Sequence, residues 1–273
     1  MLVDVDAVVL SNTQLSHDYN TVSLAAPQLA VQAQPGQFVM VKATAGDHPL
    51  LRRPFSVFEI LRDDAGRTTG FSLLNKRIGV TTRALYAVRA GDHVRCLGPL
   101  GRPFSLVTPP EHAWMVAGGV GLAPFATLAT SLRARQVDTT LFYGGRRAED
   151  LFYADMFGAL GVHLRLSTDD GSRGDHGNVT VPLRTAFSSI DRTSPLRLYA
   201  CGPTPMMRAV TELAASEGRN TDVSLEQVMG CGLGGCYSCV VPLRSADGTR
   251  FVRSCLEGPI FDGGSVDWGQ LSQ

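Results

Sequence analysis

Residues 113–129 read "AWMVAGGVGLAPFATLA", and the fold turns on whether this stretch is one apolar helix or a strand, a tight turn and a new helix. Gly118, Gly119 and Gly121 sit in its middle, and Pro124 follows them. Glycine and proline interrupt a helix rather than extend it, and 17 residues fall short of the usual membrane span. The expected reading is a buried strand, a glycine-rich turn and the start of a helix. Those glycines would let the phosphates of a dinucleotide approach the backbone closely. The full G-x-G-x-x-G is not present, since Pro124 stands at the position of its last glycine. A plain strand-to-helix turn explains the same glycines.

Downstream, apolar strands alternate with helical patterns: "FATLATSLRARQ", "TTLFYGG", "VHLRLSTDDG", "PLRLYACGP" and "PMMRAVTELAASEG". That rhythm predicts βαβ units on a parallel sheet over residues 108–221. The second strand ends in "YGGRR" with no acidic ribose ligand, so a standard Rossmann fingerprint fails. Cys201, Gly202 and Pro203 end a later strand, at the carboxyl edge where such sheets bind ligands. Cys201 is most simply a buried small hydrophobe; its alternative is a soft group beside a nicotinamide. Arg146 and Arg147 could contact a 2′-phosphate or be solvated.

Upstream, residues 1–107 read as six short strands, "VDAVVLSNTQL", "YNTVSLAAP", "GQFVMVKA", "RRPFSVFEI", "TTGFSLLNKR" and "DHVRCLGPLG", expected to form a closed antiparallel barrel. One helix-like piece, "VTTRALYAV", precedes the last strand, and "TPPEH", residues 108–112, is a plausible linker. Arg53 and Ser56, three apart on a strand, can grip a cofactor phosphate and a flavin ring. RxxS is a common pattern, and Arg53 could equally be a surface cation. Gly79, Thr81 and Thr82 open the helix, where free N–H groups suit a pyrophosphate. An ordinary Thr N-cap explains them as well.

Residues 222–273 form a third block, too short to bury a core of its own and therefore expected to need a metal or a disulfide. The chain has six cysteines among 273 residues, and three fall in "CGLGGCYSC", 231–239. The spacing is Cys231-x4-Cys236-x2-Cys239, with Cys255 sixteen positions on. That is the plant-type arrangement for a [2Fe–2S] cluster. Three thiolates of one loop must converge on two irons, so the loop has to curl, which Gly232, Gly234 and Gly235 permit. Structural zinc also takes four cysteines, but usually from two C-x2-C knuckles, and here there is one. No histidine lies nearby to suggest a Rieske centre, and a disulfide is the weakest alternative.

Composition excludes more than it selects. The chain is 44% hydrophobic and 18% charged with a formal net charge of zero, and no dense Lys/Arg run points to nucleic acid. Its start, "MLVDVDAVVLSN", lacks the basic region and cleavage site of a signal peptide. A cytoplasmic, non-membrane setting is expected, in which clustered cysteines mean metal or redox chemistry.

RxxS, the G-x-T helix start, GGxGxAP, YGGR and CGP, in that order, resemble the ferredoxin–NADP reductase superfamily along almost the whole chain. With "CGLGGCYSCVVP", "STDDGSRGDHGNVT" and "RSCLEGPIFDGGSV", the chain is similar to the electron-transfer subunits of class B, NAD-dependent dihydroorotate dehydrogenases. The resemblance implies FAD held by Arg53, Pro54, Phe55 and Ser56, by Leu74, Asn75 and Lys76, and by Gly79, Thr81 and Thr82. It implies a [2Fe–2S] cluster on Cys231, Cys236, Cys239 and Cys255, and NAD(H) near Gly118, Gly119, Gly121, Cys201, Gly202 and Pro203. Asn75 stands where that family usually has Tyr, and Thr81 where Gly is common. The implied role is electron transfer between NAD and an FMN-containing catalytic subunit of a heterotetramer in pyrimidine biosynthesis, this chain being half of an enzyme. Similar subunits serve sulfide dehydrogenase, sulfite reductase and bifurcating NAD(P)H:ferredoxin oxidoreductase. A different class of protein would be a zinc-bearing binding module on the same fold.

Overall fold

Strand β1, Val3–Gln14, buries Ala7 and Val9 and exposes their neighbours, the period-two pattern of a half-buried strand. It pairs antiparallel on one side with β2, Tyr19–Ala25, and on the other with β7, His93–Leu100. The remaining strands of this sheet are β3, Phe38–Lys42, β4, Arg53–Ser56, β5, Ile60–Arg62, and β6, Thr68–Lys76. Their order is β4-β3-β7-β1-β2-β6-β5. The computed structural model describes residues 2–43 and 49–271.

The sequence reading expects six strands here, and the structure has seven. The expected strand "RRPFSVFEI" turns a corner at Val57 and Phe58, which are both buried. The Val57 N–H bonds to Gln37 O next to β3 (3.1 Å), whereas the Phe58 N–H bonds to Ser72 O on β6 (3.0 Å). The chain thus passes from one end of the sheet to the other within two residues, and the sheet curls as a half-barrel whose edges meet there. Val39, Val41, Phe71, Leu73 and Leu85 fill its interior. Helix α1 is a single turn, Pro27–Ala30, and α2, Val80–Ala87, is the helix expected before the last strand.

The second sheet starts with β8, His112–Gly118, whose interior residues are all buried, as a central strand covered on both faces requires. A 3-10 turn, Gly119–Leu122, leads into α3, Phe125–Ala134. Then follow β9 (Thr139–Gly145), α4 (Ala154–Ala159), β10 (His163–Thr168), β11 (Asp175–His176), α5 (Thr180–Ser189), β12 (Leu196–Cys201), α6 (Thr204–Ser216) and β13 (Asn220–Ser224). The order is β11-β10-β9-β8-β12-β13-β16, parallel except at β16, Ile260–Asp262, which runs antiparallel to β13. The parallel α/β reading of residues 113–129 and beyond agrees with this sheet.

The described residues group into two compact units. One comprises Met1–Pro103, Gln227–Val240 and Arg253–Pro259; the other Phe104–Glu226, Val241–Val252 and Ile260–Gln273. The segment read as one block, 222–273, is therefore divided between them. Its hairpin, β14 (Val240–Ser245) with β15 (Gly248–Arg253), brings Val241 and Val252 into the second unit's core, beside Phe261, Val266 and Trp268. Its cysteine-bearing loop and the short helix α7, Ser254–Glu257, belong to the first unit. The tail needs no core of its own, because its apolar side chains join the cores of the two units.

Candidate iron–sulfur and dinucleotide sites

The cysteine loop is held by the half-barrel. Cys239 and Cys255, 1% and 2% exposed, pack with Phe38 and Met40 of β3, Leu100 of β7 and Met229. The Ser254 N–H bonds to Cys239 O (2.8 Å), which fixes α7 against the end of the loop. Cys231 is half-buried and Cys236 exposed. The loop is curled as the sequence predicts: Gly234 has φ +80°, and a Cβ there would meet Leu256 Cδ1 at 2.6 Å, so only glycine fits. Even Tyr237 adopts a left-handed φ of 56°. Arg253 clamps this curl, with Nη1 donating to Gly234 O at 2.8 Å and its guanidinium 4.7 Å from the Tyr237 ring centre.

The thiols lie in two pairs. Cys231 hydrogen-bonds Cys236, and Cys239 hydrogen-bonds Cys255. Ser238 Oγ lies 3.2 Å from Cys236 Sγ, and the Leu233 N–H donates to Cys231 Sγ at 3.3 Å. The Ser238 hydroxyl and N–H, followed by Cys231, lower the Cys236 thiol to about 6. Burial, then the neighbouring Cys239, pushes Cys255 up to about 12, although the Gly234 N–H opposes the rise. Among the described residues no group of three or more His, Cys, Asp or Glu side chains is placed to hold one metal ion. Two soft sulfur pairs, each able to grip one iron, suit a two-iron cluster better than the single tetrahedral centre of zinc.

The proposed flavin residues also fall in the half-barrel unit. Arg53, Pro54, Phe55 and Ser56 form β4, an edge strand of half-buried residues, so one side of it is open to a ligand. Arg53 Nη1 donates to Arg52 O (3.0 Å), and no carboxylate pairs with Arg53 among the described residues. Leu74 is buried in β6, and Lys76 Nζ stands 5.3 Å from the Tyr19 ring centre. At the start of α2, Thr82 Oγ1 accepts the N–H groups of Gly79 (2.7 Å) and Ile78 (2.9 Å), while Thr81 is buried. The first intrahelical bond is Arg83 N–H to Gly79 O, 2.9 Å. Backbone N–H groups of the first turn, rather than the Thr82 hydroxyl, are thus the donors available to an anion.

Asn75 lies where a side chain could not have been placed from sequence. It is fully buried, and its Nδ2 donates to Asn20 Oδ1 (2.7 Å) and Thr82 O (3.0 Å). Asn20 in turn donates to Asn12 Oδ1 (2.7 Å), and Asn12 to the carbonyls of Tyr86 and Val88 at the far end of α2. Three asparagines on three neighbouring strands therefore support α2 from behind. The pairing Asn20↔Asn75 is what aligns them.

The second unit carries the turns expected to meet a dinucleotide. β8 is the first strand of its sheet; β9 and β10 lie to one side of it and β12 and β13 to the other. The order reverses between β8 and β12, the switch point at which open α/β sheets bind ligands. Gly118 ends β8, with Gly119 and Gly121 after it, and Cys201 ends β12, paired to Ala117, with Gly202 and Pro203 after it. A Cβ on Gly121 would overlap the Cys201 carbonyl, so the two turns touch through backbone. Cys201 is buried, and burial raises its thiol well above the ordinary range, so it is a packed neutral thiol. Arg147 pairs with Glu149 at 2.6 Å.

Sequence reasoning missed Ser238, Arg253 and the Asn12–Asn20 support. Ser238 lies between two cysteines, a signal that was there to read; the others depend on register and on loop path.

Comparison with known proteins finds three matching domains along the chain. Residues 6–104 match the oxidoreductase FAD-binding domain, 115–212 the oxidoreductase NAD-binding domain, and 226–267 the iron–sulfur cluster binding domain of dihydroorotate dehydrogenase B. FAD, NAD(H) and an iron–sulfur cluster, the cofactors expected from sequence, are those of the three matched domains. The electron transfer subunit of dihydroorotate dehydrogenase B (NAD(+)) from Desulforamulus reducens is 33% identical over 96% of this chain and 98% of its own length. The subunit of the same name from Bacillus caldolyticus is 38% identical over 85% of this chain and 86% of its own length. The structure of NADH-dependent reduced ferredoxin–NADP oxidoreductase, from work on flavin-based electron bifurcation, superposes with a TM-score of 0.84. It is 29% identical and covers 97% of this chain and 91% of that one. A ferredoxin–NADP+ reductase of Neisseria gonorrhoeae, TM-score 0.65 at 17% identity over 79% of this chain and 92% of its own, shares the fold.

Proposed function

The chain belongs to the family of dihydroorotate dehydrogenase B (NAD(+)) electron transfer subunits, and from that premise we propose how its residues serve as an oxidoreductase subunit. It links NAD to a catalytic partner that contains FMN and oxidises dihydroorotate, within a heterotetramer of pyrimidine biosynthesis. The observation that carries this reading is that all four cysteines lie in the same unit as the half-barrel, with Cys231 acting on Cys236 and both Cys239 and Cys231 acting on Cys255. When bound, FAD accepts two electrons as a hydride and releases them singly, which a one-electron iron–sulfur centre requires.

The residues divide that work. The turns after β8 and β12 bring backbone close to the dinucleotide, and their glycines keep side chains out of its way. Arg53 supplies a positive charge with no carboxylate partner among the described residues, and the first turn of α2 supplies N–H donors, both suited to a pyrophosphate. Cys231 and Cys236 hold the solvent side of the cluster; Cys239 and Cys255 hold its buried side. Leu233 and Tyr237 are exposed beside Cys236, and they give the partner an apolar and aromatic surface to cover. No helix among the described residues is long and apolar enough to cross a membrane, and all six cysteines are unpaired, which fits a reducing cytoplasm.

The test uses the purified chain with and without the FMN-containing dehydrogenase. Alone, it should reduce an artificial acceptor with NADH and leave dihydroorotate untouched. With the partner, it should form a stable complex that couples dihydroorotate oxidation to NAD reduction. Turnover of dihydroorotate by the isolated chain, or failure to bind that partner, would overturn the assignment. Binding instead to a sulfide dehydrogenase or sulfite reductase partner would favour the reductase subunit of that enzyme, and binding to a ferredoxin-linked partner would favour the bifurcating type, with which the chain shares its fold.

A further inference from the structure

We propose that the Ser238 hydroxyl donates a hydrogen bond to the Cys236 sulfur and thereby raises the reduction potential of the iron–sulfur cluster, an inference that rests on the cysteine assignment above. The geometry fixes who donates. A serine hydroxyl has one proton and two acceptor lone pairs. The Gly230 N–H donates to Ser238 Oγ at 2.9 Å, which takes one lone pair. Cys236 Sγ lies 3.2 Å from the same oxygen. A cysteine that ligates iron is a thiolate and has no proton to give, so the hydroxyl proton is directed at the sulfur.

The bond is pre-oriented by its surroundings. Gly230 precedes the first cysteine and Ser238 precedes the third, so their contact ties the start of the loop to its end. Cys236 is the most exposed of the four cysteines, where water competes for the sulfur. A hydroxyl already held by Gly230 does not have to be ordered when the cluster gains charge. The remaining donors differ in kind. Leu233 gives a backbone N–H to Cys231, and Gly234 gives one to Cys255. A side-chain donor can be changed by substitution while those backbone donors stay. Hydrogen bonds to ligating sulfur draw electron density from the metal centre and stabilise its reduced, more negative form. The bond from Ser238 therefore makes the cluster easier to reduce.

The experiment is an anaerobic redox titration of the intact, cofactor-loaded chain, followed by the electron paramagnetic resonance of the reduced cluster and the absorbance of the flavin. Wild type, Ser238→Ala, Ser238→Thr and Ser238→Val are compared, with iron and FAD measured for each. The expected result is a lower cluster midpoint in Ser238→Ala, a return toward wild type in Ser238→Thr, and an unmoved FAD midpoint throughout. Threonine and valine are equal in size, so that pair reads the hydroxyl even where alanine sheds iron. Equal cluster midpoints in Ser238→Thr and Ser238→Val would overturn the proposal and leave Ser238 as a tie to Gly230. Wild-type protein that holds zinc and no iron would instead overturn the cluster assignment itself, a result separate from the first.

Discussion

Cys236 and Cys255, the proposed ligands of one iron–sulfur group, lie in opposite surroundings. Cys236 sits on an exposed, glycine-rich loop where the Ser238 and Cys231 hydrogen bonds lower its thiol to about 6. Cys255 lies on α7 against Phe38, Met40 and Leu100, where burial raises its thiol to about 12. One side of the site is thus an exposed polar shell, and the other is part of the packed core. The contrast shows how a loop without regular structure can hold a redox centre. On the proposed assignment the buried pair would fix its position and the exposed pair would face outward for electron exchange.

The largest effect should come from removing one member of each pair. Cys236→Ser and Cys255→Ser should both lose the iron, since metal binding and local folding are linked. Only Cys255→Ser should also destabilise the metal-free half-barrel, because the shorter C–O bond weakens the contacts with Cys239 and the Gly234 N–H, and a poorly bonded hydroxyl among apolar side chains costs about 1–3 kcal/mol. FAD should stay in both. Iron and flavin analyses with denaturation of the apoproteins check this; equal apoprotein stabilities would erase the contrast.

Alkylation of the cluster-free protein sharpens it further. A thiol lowered to about 6 is mostly thiolate at neutral pH, and its reaction with iodoacetamide should reach half its limit near that value. A thiol raised to about 12 stays protonated and should react only in strong alkali. Mass mapping of the modified cysteines against pH reads both, and similar profiles for the two would contradict the difference in surroundings.

Arg53→Ala should leave both cysteine pairs and the iron intact while it weakens FAD. Loss of a charge-assisted contact to an anionic cofactor costs roughly 1.5–3 kcal/mol, about one to two decades in affinity. Unchanged flavin occupancy and affinity would remove Arg53 from the flavin site. A smaller effect is expected from Arg253→Gln, which breaks the clamp on Gly234 and Tyr237 and so loosens the exposed side alone. With about 0.5–1.5 kcal/mol at stake, iron release to a chelator should quicken a few-fold, with no change in apoprotein stability.

The sequence made the cluster legible because its chemistry is written in spacing: four cysteines at plant-type intervals admit few alternatives. The parallel sheet was legible through Gly118, Gly119, Gly121 and Pro124, which break an apolar run that could have passed for a spanning helix. What could not be read were features set by distant parts of the chain. The seventh strand exists because Phe58 finds its partner on β6 rather than β3. Asn75 supports α2 because the register between β2 and β6 places it opposite Asn20. The tail is divided between two units because Trp268 and Phe261 complete one core, while Cys239 and Cys255 complete another cluster. None of these pairings has a local signal.

The most direct measurement of the central claim is anaerobic addition of NADH to the purified, cofactor-loaded chain, read by flavin absorbance and by electron paramagnetic resonance. If this chain passes electrons between the dinucleotide and the cysteine site through FAD, NADH should drive the path in reverse, bleaching the flavin and producing the signal of a reduced [2Fe–2S] cluster. A flavin that bleaches beside a cluster that NADH never reduces, or a chain that holds zinc where iron is expected, would contradict it.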